Sequence, residues 1–198
     1  MRIGVLAVQG AVSEHIEAIS KALKEMNLKG EVFPLRRRED LQGLRGLIIP
    51  GGESTTIFKL LLRDGLFDEL KDLILNGLAV MGTCAGIIML AKEIEGGIEG
   101  QRGFSLLNIR VSRNAYGRQV DSFEAPLKLS FDEGEPFRGV FIRAPRILRL
   151  YEGVKPLAFL GEEVVGVEQG NLIGLTFHPE LTDDTRLHRY FLEKALSF

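Results

Sequence analysis

Short apolar runs alternate with amphipathic stretches along the first half of the chain. Ile3 to Val8 is almost wholly apolar, which is typical of a strand buried on both faces of a sheet. Residues 16–26 then place apolar side chains at helical spacing between charged ones. The alternation continues with strand candidates at residues 31–35, 47–49 and 78–81 and helix candidates at 57–61, 66–75 and 85–92. This order predicts a three-layer α/β fold, with a mostly parallel central sheet covered by helices on both faces.

The second half of the chain has a different pattern. Short strands separated by turns are predicted at residues 109–112, 127–130, 140–142, 157–160, 164–168 and 172–176. Helical periodicity returns in Asp183 to Leu196, which carries acidic residues in its first turn. We therefore expect an antiparallel extension of the sheet and a small accessory sheet. Because the sequence has no internal repeat or linker, residues 1–198 are expected to form a single domain.

Composition excludes several classes of protein. The chain has 198 residues, of which 45% are hydrophobic and 26% charged, so it is neither disordered nor fibrous. A net charge of −2 provides no basic surface field for nucleic acid. Leu73 to Ala91 carries no charge and approaches the length of a membrane span, but glycines interrupt it, and no membrane association is expected. A single cysteine cannot form an internal disulfide and favours a cytoplasmic location.

The cysteine lies in a glycine-framed turn between a predicted strand and a predicted helix. Gly82-Thr83-Cys84-Ala85-Gly86 has the spacing of a nucleophile elbow, with cysteine in the position that serine holds in many hydrolases. The glycines are needed because bulkier neighbours would clash in so sharp a turn. The start of the helix favours a thiolate, and the Ala85 N–H is placed to bind a developing oxyanion. The frame favours a nucleophile over a buried structural cysteine.

A thiol nucleophile needs a base, and His178 is the best placed of the three histidines. It directly follows the last predicted strand, and the proline after it favours an extended conformation. Alternate residues of an extended segment point to the same side, so Glu180 can orient the His178 ring and stabilise its imidazolium. His15 and His188 lie in amphipathic stretches, and we interpret both as ordinary helical positions.

Other segments offer candidate ligand contacts. Pro50-Gly51-Gly52-Glu53-Ser54 follows a predicted strand, and its glycines allow the backbone to approach a ligand closely and to supply a second oxyanion donor, although an ordinary turn is an alternative. Arg113 to Glu124 and Val140 to Pro145 are candidate contacts for a charged, amino-acid-like ligand. Arg36-Arg37-Arg38 is interpreted as a solvated edge.

Together these motifs resemble the class I, or triad, glutamine amidotransferases, and among them the glutaminase subunits of pyridoxal 5′-phosphate synthases. The elbow and the His-Pro-Glu segment are typical of the whole class, whereas the blocks at 113–124 and 141–145 narrow the resemblance to these subunits. The resemblance covers nearly the whole chain, with loose matches at 96–103 and 28–40, either of which could bear on partner contact. The matching segments are 4–10, 50–56, 82–86, 113–124, 141–145 and 177–181.

The resemblance implies a role for each candidate residue. Cys84 would attack the side-chain amide of L-glutamine, His178 would shuttle the proton, and Glu180 would orient His178. The oxyanion hole would consist of the Gly52 and Ala85 amides. The remaining implied contacts are Gly52, Glu53, Ser54, Arg113, Ile142 and Arg143 for the substrate, and Gln9 for activation by a docked partner.

The resemblance also implies a hetero-oligomer. The thioester would be hydrolysed to glutamate, and the ammonia would pass to a synthase subunit that builds the cofactor from ribose 5-phosphate and glyceraldehyde 3-phosphate. It implies no metal or cofactor for this chain. Two alternatives stay open: another triad cysteine hydrolase, such as a γ-glutamyl hydrolase or a peptidase, and a binding subunit with an inactive site. The block at 113–124 speaks against the first and the complete triad against the second.

Overall fold

The computed structural model describes residues 1–96, 103–113 and 122–197, and these residues form a mixed α/β structure. Two short 3₁₀ helices, Arg38–Leu41 and Pro179–Leu181, lie among the longer elements. In chain order, the strands and α-helices are β1 (Arg2–Leu6), α1 (Val12–Glu25), β2 (Glu31–Leu35), β3 (Gly46–Ile49), α2 (Ser54–Arg63), α3 (Phe67–Leu75), β4 (Ala79–Thr83), α4 (Ala85–Leu90), β5 (Ala91–Glu95), β6 (Leu107–Ser112), β7 (Ser122–Leu129), β8 (Asp132–Ile142), β9 (Arg146–Leu150), β10 (Lys155–Leu160), β11 (Glu163–Gln169), β12 (Leu172–Leu175) and α5 (Arg186–Leu196).

A nine-stranded sheet crosses the centre of the molecule in the order β2-β1-β3-β4-β12-β11-β10-β7-β8. The first five strands in this order are parallel, and the last four extend the sheet with antiparallel pairs. A second sheet has the order β5-β6-β9. The predicted fold class is therefore confirmed, including the antiparallel extension and the small accessory sheet.

Helices cover both faces of the parallel part of the sheet. On one face, Ile19 of α1 and Phe191 of α5 belong to the same apolar cluster as Ile3 of β1. On the other face, α2, α3, α4 and the small sheet share a second cluster that includes Ile49 of β3 and Leu107 of β6. Strands β3 and β4 are buried along their whole length, as their near-continuous apolar sequences predict.

The carboxyl ends of the central parallel strands bring the candidate residues to one edge of the sheet. Gln9 follows β1, Gly52 follows β3, Cys84 follows β4 and His178 follows β12. Since β1, β3, β4 and β12 are neighbours in that order, four distant segments of sequence converge there. Ligands bind at this edge in open parallel sheets.

Strand boundaries differ from the predictions where charged residues form strands. The helix after the elbow ends at Leu90, and Ala91–Glu95 is a strand that the sequence did not predict. Arg146–Leu150 is a second strand that was not predicted, because two arginines interrupt its apolar pattern. It pairs with β6. Strands β7 and β8 form a long hairpin, of which only the apolar ends were predicted. No helix in the described ranges combines the length and the apolar character needed to cross a membrane.

Candidate active site

Cys84 occupies a strained backbone conformation between β4 and α4. Its φ of 50° and ψ of −107° lie in a region that residues with a side chain rarely adopt. The flanking glycines permit close packing: a Cβ added to Gly86 would lie 2.1 Å from the carbonyl oxygen of Ile49, and one added to Gly82 would lie 2.6 Å from the Gly86 backbone. The turn has the geometry of the predicted nucleophile elbow.

The thiol of Cys84 is almost buried, with 8% of the residue exposed. Its Sγ donates to the carbonyl oxygen of Ile142 at 3.7 Å, and Cys84 raises the pKa of the neighbouring His178. A Cβ built on Gly51 would lie 2.7 Å from His178 Cε1 and 3.3 Å from Cys84 Cβ. The ring and the thiol therefore flank the same glycine at the end of β3, although they come from different halves of the chain.

His178 is held by the carboxylate two residues later. Its Nδ1 lies 2.7 Å from Glu180 Oε1, and both residues are buried. Burial by itself lowers the pKa of His178, but the interactions with Cys84 and Glu180 outweigh it, and the pKa is raised. The local geometry differs from the prediction, because Pro179–Leu181 is a 3₁₀ turn and not a continuation of the strand. The turn still brings the carboxylate to the ring.

Glu180 has contacts beyond His178. Burial raises the pKa of its carboxyl group, but the neighbouring His15 and the hydrogen bond with His178 have the larger combined effect and lower it. His15 Nε2 lies 3.4 Å from Glu180 Oε2, and His15 Nδ1 lies 3.5 Å from His188 Nε2. The sequence-based interpretation of His15 and His188 as ordinary helical positions missed this arrangement, since helical spacing alone does not reveal contacts to Glu180.

A cleft of about 360 Å³ opens above Cys84, within the size range of small-molecule sites. Its lining includes most of the predicted site residues, Pro145 of the candidate segment 140–145, and Ile88, which the sequence analysis did not select. A larger depression, of about 490 Å³, lies at the far end of the sheet beside β7 and β8, away from the elbow. The predicted residues that line the cleft are Gln9, Gly52, Glu53, Ser54, Cys84, Ala85, Arg113 and Arg143.

Glu53 is fixed at the start of α2. Its carboxylate accepts hydrogen bonds from the backbone N–H groups of Thr55 and Thr56 at 3.0 and 2.7 Å, and from Arg113 Nη2 at 2.7 Å. Burial raises the pKa of Glu53, but the hydrogen bonds from Thr56 and Thr55 lower it to about 2. The carboxylate is therefore ionised at neutral pH and caps α2 at its N-terminus.

The glycine loop contacts the end of β1. The Gln9 side-chain oxygen accepts from the Glu53 backbone N–H at 2.7 Å. Gly52 has a φ of 144°, and a Cβ added there would lie 2.9 Å from that oxygen. The loop conformation therefore depends on a residue that lacks a side chain at this position.

The remaining predicted positions lie at the periphery or outside the described residues. The Arg36 and Arg37 backbone N–H groups donate to Asp40, and Arg38 forms an ion pair with Glu69, in keeping with an exposed edge. Most of the loop 96–103 and of the block 113–124 lies outside the described residues, which end at 96 and 113 and resume at 103 and 122. Within the described ranges, no group of three or more His, Cys, Asp or Glu side chains is arranged to hold a metal ion.

Comparison with solved structures gives the class of the fold. A crystal structure of a glutamine amidotransferase matches with a TM-score of 0.85 and 49% sequence identity, covering 98% of both chains. A glutamine amidotransferase from Thermotoga maritima matches with a TM-score of 0.62 and covers 100% of this chain and 96% of that one, but at 16% identity it shows the fold alone. The fold is that of the glutamine amidotransferases.

Sequence comparison narrows the class to a family. The model of the SNO glutamine amidotransferase family matches residues 5–197, and the chain belongs to that family. The pyridoxal 5′-phosphate synthase subunit PdxT of Thermococcus onnurineus (strain NA1) is 64% identical over 197 residues, which cover 99% of this chain and 100% of that protein. The resemblance stated from the motifs is confirmed at the level of the family.

Proposed function

We propose that this chain is the glutaminase subunit of a pyridoxal 5′-phosphate synthase, which hydrolyses L-glutamine to L-glutamate and ammonia. The observation that carries the proposal is the meeting of Cys84, His178 and Glu180 at the sheet edge, where Cys84 lines the cleft. Full-length similarity to a subunit of such a synthase supports the same activity. We place the reaction in the cytoplasm, where reducing conditions keep the Cys84 thiol free to react.

The reaction proceeds through a thioester. Cys84 Sγ attacks the side-chain carbonyl carbon of glutamine, and the bond to nitrogen breaks as His178 gives its proton to the departing ammonia. A water molecule, deprotonated by His178, then attacks the thioester, which releases glutamate and restores the thiol. Glu180 holds the His178 ring and stabilises the imidazolium formed in both steps.

The oxyanion of each tetrahedral intermediate needs hydrogen-bond donors. We assign this role to the backbone N–H groups of Gly52 and Ala85, since both residues line the cleft beside Cys84. Arg113 and Arg143 also line the cleft and suit the α-carboxylate of glutamine, while the ionised Glu53 suits its ammonium group. Ser54 and the backbone of Ile142 complete the proposed substrate contacts.

The partner consumes the ammonia. A synthase subunit docked at this edge would receive ammonia directly, before it is protonated in bulk water. We therefore propose a hetero-oligomer, with Gln9 at the end of β1 as a contact that couples docking to the glycine loop. The proposal requires no cofactor or metal in this chain.

Glutamate release measured with and without the synthase subunit tests the proposal. With the synthase present, Cys84→Ala is expected to abolish glutamate release, because the only thiol is removed, while circular dichroism stays that of the parent chain. A glutamine-like electrophile should label the parent protein once and Cys84→Ala not at all. Turnover retained in Cys84→Ala would contradict the proposed nucleophile, and preferred hydrolysis of a γ-glutamyl peptide or of casein would favour the other hydrolases.

A further inference from the structure

A buried polar chain lies behind the triad and connects it to α1 and α5. His15 of α1 and His188 of α5 are both fully buried. His15 Nε2 lies 3.4 Å from Glu180 Oε2 and 3.2 Å from Thr83 Oγ1, and its Nδ1 lies 3.5 Å from His188 Nε2. Burying polar groups costs free energy unless they are paired, so this chain of contacts requires more than apolar packing to account for it.

The two oxygens of the Glu180 carboxylate differ in their hydrogen bonding. Oε1 accepts from His178, whereas Oε2 is buried and receives no hydrogen bond from the described residues. His15 Nε2 faces Oε2 at 3.4 Å, slightly beyond hydrogen-bond length. Hydrogen bonds that serve catalysis are often long in the absence of substrate and shorten in the reacting complex, so a small movement completes this one.

The carboxylate selects one tautomer of His15. If the proton were on Nδ1, the Nε2 lone pair would face a buried negative oxygen, which is repulsive. With the proton on Nε2, the N–H points into the space shared by Glu180 Oε2 and Thr83 Oγ1, both of which can accept it. The contact to Glu180 therefore favours His15 as a donor.

His188 favours the same tautomer for a separate reason. Its Nδ1 is buried and has no hydrogen-bond partner among the described residues. If His188 Nε2 accepted from His15, Nδ1 would carry an N–H with no acceptor, a costly arrangement in a protein interior. If Nε2 donates to His15 Nδ1, the unpartnered atom is only an acceptor. Both neighbours of His15, Glu180 and His188, therefore favour a proton on its Nε2.

We infer that His15 is a positioning residue, whose Nε2–H holds Glu180 Oε2 so that Oε1 stays directed at His178. The inference rests on the proposed function, because it assigns His15 a part in orienting the proposed base. His188 supports it by donating to His15 Nδ1. Through Thr83, His15 is also tied to the residue that precedes Cys84.

The charges around His15 determine its protonation state and the direction in which its removal shifts the pKa of Glu180. Burial lowers the pKa of His15, Glu180 and Glu14 raise it, and His178 lowers it further, with a net decrease. Burial and the neighbouring His15 lower the pKa of His188 to about 3. Both rings are therefore neutral at pH 7. A neutral Nε2–H donated to Glu180 favours the ionised carboxylate, so its removal raises the pKa of Glu180, and the carboxylate is then lost on acidification at a higher pH.

Three substitutions separate positioning from packing. His15→Phe keeps an aromatic ring and removes both nitrogens, His15→Gln can place an amide N–H near the Nε2 position, and His15→Asn can replace only the Nδ1 side. With the synthase present, His15→Phe is expected to lower kcat for glutamate release about ten- to a hundredfold, the effect of losing a hydrogen bond to a charged group. KM should change little, and the acid limb of the pH profile should move to higher pH. His15→Gln should restore most of both properties and His15→Asn should not.

Alkylation of Cys84 gives a second readout that needs neither glutamine nor the synthase. Cys84 is the sole cysteine, so iodoacetamide uptake as a function of pH reports on the thiol and its partners directly. Its pH midpoint should rise in His15→Phe and return towards that of the parent chain in His15→Gln. Ile19→Val, a buried change one turn further along α1, is the packing control and should leave both pH profiles unchanged.

The outcomes separate this inference from the proposed function. A parent complex that releases no glutamate would refute the glutaminase, while the alkylation profiles would still decide the role of His15. Unmoved pH profiles in His15→Phe, or equal behaviour of His15→Gln and His15→Asn, would reduce His15 to a packing residue. If His15→Phe fails to fold, the pH profiles of His15→Gln and His15→Asn, compared with each other, decide whether His15 is a positioning residue.

Discussion

At the scale of single residues, the site depends on a histidine whose protonated form is stabilised inside the protein. Burial opposes the charge on His178, yet Cys84 and Glu180 raise the pKa of the ring above its ordinary value. Cys84 and the Glu180 carboxylate therefore both support the imidazolium of His178, as in other nucleophile–base–orienter sites. The central charge of this group is the imidazolium, so its partners control the pH range of activity.

Glu180→Gln tests that dependence. Loss of the carboxylate removes a charge that raises the pKa of His178, so the imidazolium gives up its proton at a lower pH. We expect the basic limb of kcat/KM for glutamate release to move to lower pH and the maximum rate to fall by about 10²- to 10⁴-fold, by analogy with other triads. The measurement is a pH–rate profile with the synthase present.

The control for Glu180→Gln is an exposed glutamate changed in the same way. Glu17 lies on the outer side of α1, and Glu17→Gln is expected to leave the profile unchanged. A basic limb that stays in place in Glu180→Gln would show that the carboxylate does not act on His178.

At the scale of elements, the elbow depends on how closely α4 approaches the strands. A Cβ on Gly86 would lie 2.1 Å from the Ile49 carbonyl oxygen, which belongs to the backbone of β3 and cannot rotate away. Gly86→Ala must therefore separate α4 from β3. We expect a loss of unfolding free energy of at least about 2 kcal/mol, together with a loss of glutamate release, measured by urea unfolding and by assay.

Gly65→Ala is the matched control for the elbow. Gly65 has a φ of 67° and an open space around it. An alanine there therefore costs only the strain of a left-handed backbone conformation and causes no steric clash. Its cost is expected to be about 1 kcal/mol, with activity retained. Equal costs for the two substitutions would mean that the close approach of α4 contributes nothing beyond backbone conformation.

The elements that the sequence predicted are those in which local pattern and tertiary environment agree. Strand β3 lies between two helical layers, so a continuous apolar run predicts it. Strand β5 could not be predicted this way, because Ala91–Glu95 carries three charged residues and becomes a strand only by pairing with β6. The contact of His15 with Glu180 joins α1 to the last loop of the sheet, and no local pattern indicates it.

At the scale of the whole molecule, the topology explains why the chemistry was predictable when its geometry was not. The motifs after β1, β3, β4 and β12 were visible separately, and a parallel sheet brings the carboxyl ends of neighbouring strands together. What the sequence could not provide was the order of the strands, since β12 comes from the far end of the chain and pairs with β4. That pairing places His178 beside Cys84.

The contact between Gln9 and the glycine loop at this sheet edge predicts that activity depends on the partner. In this chain the loop that carries Gly52 is held by Gln9, whose oxygen accepts from the Glu53 backbone N–H at 2.7 Å. Since Gln9 follows β1 at the proposed docking edge, a bound synthase can alter this contact and thereby the direction of a proposed oxyanion donor. Loss of one such donor costs about 10²- to 10³-fold in rate, so the isolated chain should be slower than the complex by about this factor.

Titration of the chain with synthase, with glutamate release as the readout, measures this activation. The rate should rise with synthase concentration and saturate, and kcat should change more than KM, because the oxyanion forms only after substrate binds. Cys84→Ala titrated in the same way accounts for any glutamate that the synthase preparation itself releases. An isolated chain that already turns over at the saturated rate would show that the oxyanion hole is complete before docking, and Gln9 would then have no part in activation.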